Sequence, residues 1–326
     1  MSDSPASLRR KIESAQDLQS VVRTMKALAA SSIGQYESSV NALADYWRTV
    51  ELGLNACFRE SAPAAPMVPH EGEPETETIG AVVFGSDQGL VGQFNEVVAE
   101  HAIKTLAGLH GNPRVWAVGE RVHARLVDAG LPIAGLFPVP ISVNAIAPLV
   151  GRIQIASEAQ QAKGAFARVH VFHNRPKSGA LYEPADQRLL PLDDEWQRGL
   201  TKVAWPTRNP PEIMGSGTET LRALIREYLF ISLFRACAES LASENASRLA
   251  AMQRADKNID TLLEDLHGTF HRLRQQSIDE ELFDVVSGYD ALAKEHAGGQ
   301  RSGDVSPPPP TPDRGLRATP KGSARS

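Results

Sequence analysis

Apolar side chains in the first sixty residues recur at alternating steps of four and three, which is the heptad pattern of a coiled-coil seam. The seam positions are Leu8, Ile12, Ala15, Gln19, Val22, Lys26, Ala29, Ile33, Tyr36, Val40, Leu43, Trp47, Val50 and Leu54. Only Gln19 and Lys26 interrupt it with polar side chains. Ser4-Pro5 is typical of a helix start. A helix over 8–57 would be about 75 Å long.

A second seam lies near the other end of the chain. Ser216-Gly217-Thr218-Glu219 has the spacing of a capping box, and no proline follows until after residue 293. The later seam positions are Leu249, Met252, Asp256, Ile259, Leu263, Leu266, Phe270, Leu273 and Ser277, with Asp256 as the polar break. The pattern predicts a helix over 216–294.

Strand and helix signals alternate between the two seams, which predicts a small α/β domain with a mainly parallel, Rossmann-like sheet. Strands are predicted at 79–84, 114–118, 168–173 and 189–192, and helices at 94–109, 120–129 and 145–161. The predicted organisation is a coiled-coil helix over 1–60, a flexible proline-containing linker over 61–78, the α/β domain over 79–205, a linker over 206–215, a second coiled-coil helix over 216–294 and a disordered tail over 295–326.

The two terminal helices are predicted to pair with each other. Water drives an exposed apolar stripe into contact, and a domain of about 130 residues is only about 30 Å across, too small to cover either helix. The expected fold class is therefore mixed α+β and α/β. It combines a long antiparallel coiled coil of N- and C-terminal helices with a Rossmann-like α/β domain.

Composition and net charge limit the classes of function that the sequence predicts. A net charge of −5 over 326 residues gives no electrostatic reason to expect nucleic acid as a partner. The two cysteines, Cys57 and Cys237, fall in predicted helices, where a small buried apolar role is expected. No segment approaches the roughly 18 apolar residues of a membrane-spanning helix.

The loop over 85–95 follows a predicted strand and precedes a helix, where nucleotide-binding loops lie. It lacks the Gly-x-Gly-x-x-Gly spacing, and no Gly-Lys-Ser/Thr follows. Its glycines are therefore interpreted as permitting a tight turn. His170 and His173 share a strand, but no Cys or carboxylate set accompanies them. We expect no catalytic residue, no cofactor and no metal site.

Three blocks of sequence resemble the gamma subunit of F-type ATP synthases. The first contains Lys11-Ile12-Glu13-Ser14 and the stretch 22–31. The second is Ser86-Asp87-Gln88-Gly89-Leu90-Val91-Gly92-Gln93-Phe94-Asn95, close to the family's Ser-Asp-x-Gly-Leu-Cys-Gly-x-Phe/Tyr-Asn. The third runs through 243–252, 257–258, 274–282 and 285–288. Order and separation match up to about residue 293.

The resemblance implies a central-stalk rotor that makes no bond itself. The paired helices would turn inside a ring of alpha and beta subunits, with the α/β domain against the epsilon subunit and the membrane c-ring. Proton or sodium flow would drive ATP synthesis, and ATP hydrolysis would reverse it. The implied location is peripheral, on the cytoplasmic side of the cell inner membrane. Polar residues in the seams would keep a rotating helix pair from adhering uniformly to the subunits around it.

The resemblance also assigns subunit contacts to Met25, Arg248, Arg274 and Gln275. Departures such as Val91 for the family's Cys suggest a divergent bacterial version, for which an alternative sodium-translocating type is one interpretation. Two other hypotheses stay open. One is a coiled-coil scaffold unrelated to ATP synthesis, and the other is a nucleotide-binding enzyme that uses the loop over 85–95.

Overall fold

The computed structural model describes residues 4–60, 78–161, 166–178, 180–192, 194–201, 205–209 and 211–298. The elements are α1 (Pro5–Glu60), β1 (Thr78–Phe84), α2 (Phe94–Ala107), β2 (Asn112–Val118), α3 (Glu120–Asp128), β3 (Ile133–Phe137), α4 (Ile146–Gln161), β4 (Phe166–Lys177), β5 (Ala180–Leu190), α5 (Asp194–Thr201) and α6 (Gly217–Gly298). Two compact units divide the chain: one is 13–264, and the other combines 1–12 with the residues from Asp265 onward.

Both long helices form as predicted. The Ser7 backbone N–H donates to Ser4 Oγ (3.2 Å), which caps α1. Every predicted seam position of α1 is buried or half-buried. The seam of α6 is likewise covered from Leu249 to Leu273, but Ser277 is exposed. Helix α6 starts one residue after Ser216, whose hydroxyl lies against Thr218 Oγ1 (3.3 Å).

Two predicted boundaries differ from the structure, and two predicted segments lie wholly or partly outside the described residues. Thr78 is the first residue of β1, not the end of a linker, because it pairs with Asn112 of β2. Helix α6 continues to Gly298, four residues into the segment predicted as a tail. The rest of that tail and the predicted linker over 61–77 lie outside the described residues.

Helices α1 and α6 are antiparallel partners in the unit formed by residues 13–264. Gln19 near the start of α1 donates to Asp260 (2.5 Å), whereas Tyr46 much later in α1 donates to Glu227 near the start of α6 (2.7 Å). Apolar side chains fill the space between the polar contacts. One such cluster is Ala15, Val22, Met252 and Ile259, with Met25 and Leu263 packed against it. The predicted antiparallel coiled coil is confirmed.

The polar breaks of the two seams meet each other. Lys26 Nζ lies 2.9 Å from Asp256 Oδ2, and Arg23 Nε lies 3.2 Å from Asp256 Oδ1. The Asp256 side chain keeps only 13% of its exposure. The expected reason for these breaks was wrong, because they face the partner helix and not the outside of the rod. A polar group at a seam position penalises shifted alignments, so this layer fixes the register of the two helices.

Replacing Asp256 by Asn should destabilise the coiled coil more at neutral pH than in acid. The hydrogen bond from Lys26, with a further one from Arg23, holds the pKa of Asp256 below its usual value. The stabilisation is therefore present above the unfolded-state pKa and is lost as pH falls through the folded-state pKa. Urea unfolding at pH 7 and pH 3 measures the effect. Asp284→Asn, at an exposed position of α6, is the control, and an equal deficit at both pH values would contradict the prediction.

The sheet has the strand order β3-β2-β1-β4-β5. Neighbouring strands are parallel except β4 and β5, which are antiparallel. Helices α2 and α3 cover one face, and α4 and α6 cover the other. The strand predicted over 189–192 is the end of a longer edge strand, Ala180–Leu190. Within the described residues, the helices do not combine the length and the apolar composition that a membrane span requires.

Candidate functional site

The loop between β1 and α2 is built around a close approach of backbone to neighbouring side chains. A Cβ added at Gly85 would lie 2.4 Å from Val122 Cβ of α3, so only glycine fits there. The Ser86 N–H donates to Asn95 Oδ1 (2.9 Å), and Asn95 Nδ2 donates to Ser86 Oγ (2.8 Å). This reciprocal pair closes the loop onto the start of α2.

Asp87 ties the loop to two others at the carboxyl edge of the sheet. Its Oδ1 accepts the backbone N–H of Glu120 at the start of α3 (3.0 Å), and its Oδ2 accepts that of Val139 after β3 (2.9 Å). Gly119, next to Glu120, has φ +113°. Both oxygens of the carboxylate therefore bind the protein's own backbone, which favours the interpretation of the loop over 85–95 as a tight turn over nucleotide binding.

A cavity of about 330 Å³ opens beside the loop. Its charged lining includes Glu96, Arg121, Arg125 and Asp128. Arg125 Nη2 and Glu96 Oε1 form an ion pair at 2.7 Å. Within the part of the chain that the structure describes, no group of three or more His, Cys, Asp or Glu side chains could hold a metal ion. The cavity carries charges of both signs and offers no paired nucleophile and base.

The same loop contacts α6. Ser247 Oγ donates to the Val91 carbonyl, across 156 positions of sequence. Gly92 has φ +60°, and a Cβ there would lie 3.7 Å from Ser247 Oγ and 4.0 Å from Arg254 Nη2. The second and third sequence blocks therefore touch in the folded chain. Their contact joins the carboxyl edge of the sheet to the long helix.

A buried ion pair lies beside that contact on α6, with its two residues on either side of Ser247 in the sequence. Arg248 Nη2 is 2.6 Å from Glu244 Oε1, and the two side chains keep 14% and 7% of their exposure. Burial raises the pKa of Glu244 above its usual value, and the charge of Arg248 opposes that shift. Burial also raises the pKa of the Cys237 thiol, with Glu244 adding to the effect. Cys237 is a free buried cysteine, in agreement with its predicted apolar role.

A second polar contact joins the sheet to α6. His173 Nε2 of β4 lies 2.8 Å from Glu239 Oε2, and Arg235 Nε lies 2.7 Å from Glu239 Oε1. Burial acts to raise the pKa of Glu239, but hydrogen bonds from His173 and Arg235 outweigh it and hold that pKa below its usual value. The sequence analysis singled out His173 and missed Glu239, because the two residues are 66 positions apart in the chain.

The residues expected as subunit contacts lie in three different surroundings. Met25 is half-buried against the apolar cluster between α1 and α6. Arg248 is mostly buried on Glu244, so little of it remains for a partner. Arg274 and Gln275 are exposed neighbours on α6. Sequence reasoning passed over Glu244, although its spacing of four from Arg248 is the helical ion-pair signal.

The fold defines a class of protein in which an α/β domain is inserted between two antiparallel coiled-coil helices. The family model described as ATP synthase matches residues 4–292. The chain therefore belongs to the ATP synthase family.

Individual relatives agree with this assignment. The chain is 26% identical over 298 residues to the ATP synthase gamma chain of Nitrosomonas eutropha, covering 87% of this chain and 98% of the relative. It is 27% identical over 302 residues to the gamma chain of a Nocardioides species, covering 90% and 97%. Among solved structures, a chain of the Euglena gracilis mitochondrial ATP synthase, in an assembly of OSCP, F1 and c-ring, has a TM-score of 0.58. It is 16% identical and covers 93% of this chain and 99% of that one.

Proposed function

We propose that this chain is the central-stalk rotor subunit of an F-type ATP synthase, the role named gamma in its relatives. Membership of the family over 4–292 and the antiparallel α1–α6 pair support this role. The curated relatives are gamma chains, and another neighbour of this fold, with a TM-score of 0.53, comes from the rotor of the Euglena gracilis enzyme.

The observation that carries the proposal is the uncovered apolar end of α6. From residue 274 to 292 every position is exposed. Seven large apolar side chains there keep 51–73% of their exposure. They are Ile278, Leu282, Phe283, Val285, Val286, Tyr289 and Leu292. An apolar patch of this kind marks an interaction surface, and a sleeve around the helix would cover all of its sides.

In this role the end of α6 turns inside a ring of alpha and beta subunits. Met25, Arg274 and Gln275 contact the ring, with a smaller contribution from the exposed part of Arg248. The α/β domain sits against the epsilon subunit and the membrane c-ring. The complex is peripheral, on the cytoplasmic side of the inner membrane, and couples proton or sodium flow to ATP synthesis.

The rotor acts by presenting a different face to each catalytic subunit. A shaft that contacts the conformations of a beta subunit unequally shifts their populations, by as much as its contact free energies differ. Torque enters at the α/β domain and must reach α6. Two contacts are suited to carry it: Ser247 on the Val91 carbonyl, and Glu239 on His173.

Stoichiometry tests the proposal most directly. Co-expression with the alpha and beta subunits of the same organism should give a complex with one copy of this chain per three alpha and three beta subunits, measured by native mass spectrometry. Recovery of homodimers alone, without ring subunits, would instead favour the coiled-coil scaffold.

A matched pair of variants locates the ring-binding surface. Val285 on α6 and Ile155 on α4 are both 69% exposed. Val285→Glu should reduce the recovery of this chain in the ring complex, because it places a charge in an apolar sleeve. Ile155→Glu should leave recovery unchanged, since α4 belongs to the α/β domain. Equal recovery of both variants would move the ring contact away from the end of α6.

A further inference from the structure

Two histidines lie one helical turn apart on α6, in the unit that combines residues 1–12 with those from Asp265 onward. The imidazole rings of His267 and His271 are stacked, with centroids 6.5 Å apart and planes at 26°. Both residues are exposed. Side chains four apart on a helix project from the same face, so the two rings point into the same region of solvent.

Among the described residues, none forms a hydrogen bond or an ion pair with either imidazole ring. Their remaining contact is the edge-on packing of Phe270 against His271, with centroids 5.9 Å apart and planes at 68°. Phe270 is half-buried. This contact is made ring to ring, so it does not use the imidazole nitrogens of His271.

Two imidazoles spaced by four on one helical face can bind a single metal ion together, as in the helical zinc motif. Imidazole suits zinc, copper and nickel, whereas calcium and magnesium prefer oxygen ligands. The chain offers no third side-chain ligand among the described residues. Water would complete the coordination, so the site would be weaker than a four-ligand structural zinc site.

We infer that His267 and His271 form a surface site for one divalent transition-metal ion of the zinc, copper or nickel class. This site was not predicted from the sequence, where only histidines accompanied by cysteine or carboxylate ligands were considered. The inference does not rest on the rotor role, since it requires only the helix and its two side chains.

Binding has a structural consequence for the exposed end of α6. The chelate fixes one turn of helix immediately before the exposed positions 274–292. An ion that binds the helical form better than the frayed form stabilises the helix. Zinc should therefore slow proteolysis of this end of α6.

Isothermal titration of the full chain, without an affinity tag, with zinc chloride at pH 7.5 tests the site. His267→Gln and His271→Gln should each weaken zinc binding at least tenfold and abolish the zinc protection against proteolysis. His110→Gln is the matched control, because His110 is exposed on the α/β domain and has no histidine one turn away.

Each result of the zinc titration either supports the site or overturns it. One zinc ion lost in both α6 variants and retained in the control supports the site. Zinc affinity and protection unchanged in His267→Gln and His271→Gln would overturn it, as would binding lost equally in the control. Circular dichroism of each variant checks that helix content is unchanged before zinc is added.

Discussion

Gly119→Ala is expected to destabilise the α/β domain by about 2–6 kcal/mol, the sum of left-handed backbone strain and overpacking at roughly 1–3 kcal/mol each. Gly119 has φ +113°, and a Cβ there would lie 2.8 Å from the backbone N, C and O of Ser86. Backbone atoms of a loop that is held on both sides cannot move aside. Urea unfolding followed by tryptophan fluorescence measures the loss.

Two other glycines separate the contribution of backbone strain from that of overpacking. Gly130 has φ +77° but nothing within 4 Å of the added Cβ, so Gly130→Ala should show the strain alone, about 1–3 kcal/mol. Gly151 lies in α4 with nothing within 4 Å, and Gly151→Ala should stabilise by about 0.5–1 kcal/mol. If Gly119→Ala cost no more than Gly130→Ala, the close approach to Ser86 would be unimportant.

Arg248→Met is expected to cost about 3–5 kcal/mol at neutral pH, because it leaves the Glu244 carboxylate buried without its partner. Arg235→Met is the matched control on the same helix. Arg235 keeps 55% of its exposure, and its partner Glu239 retains His173, so we expect a cost below about 1 kcal/mol. Chemical unfolding of the three proteins at one pH gives the comparison.

The deficit of Arg248→Met should grow as pH rises. Burial already raises the pKa of Glu244 above 4.5, and loss of Arg248 removes the charge that opposes this shift. With a folded pKa above the unfolded value, stability is fully present below about the unfolded pKa and falls as pH rises towards the folded pKa. A deficit that stayed constant from pH 4.5 to 7.5 would contradict this account. Adding Glu244→Gln should recover part of the loss.

The coiled coil was predictable because its signal is local and repetitive. A seam of alternating steps is visible without knowing its partner, and all fourteen predicted positions of α1 are covered in the fold. Partner choice within the polar layer was less visible. Lys26 and Asp256 were both marked as breaks, but Arg23 and Asp260 lie off the seam, and their pairing depends on the register of two distant helices.

The edge of the sheet was predicted poorly for a different reason. Strand signals come from buried β-branched and aromatic residues, and the outer part of β4 and much of β5 are exposed or half-buried. Pro184 in β5 further weakened the signal, although proline is tolerated on an edge strand. Among the β5 residues whose burial the structure describes, 181–190, Leu189 alone is fully buried, and the prediction began there.

The chemistry of the loop over 85–95 could be narrowed but not assigned from its sequence. The loop lacks the glycine spacing of phosphate-binding loops, and this argued against nucleotide binding. The hydrogen bonds that Asp87 accepts could not be predicted, because their donors, Glu120 and Val139, lie 33 and 52 positions away. The contact of Val91 with Ser247 was equally hidden. The family resemblance includes both sequence blocks, but only the fold shows that they touch.

The partners in the coiled coil are separated by most of the polypeptide, and this has a consequence for synthesis on the ribosome. Gln19 is synthesised 241 positions before its hydrogen-bond partner Asp260. At about 5–20 residues per second, that interval is roughly 12–48 s. During this time the part of the α1 seam around Gln19 lacks the helix that covers it in the folded chain. We therefore expect nascent chains to depend on chaperone protection until the last third of the protein has emerged.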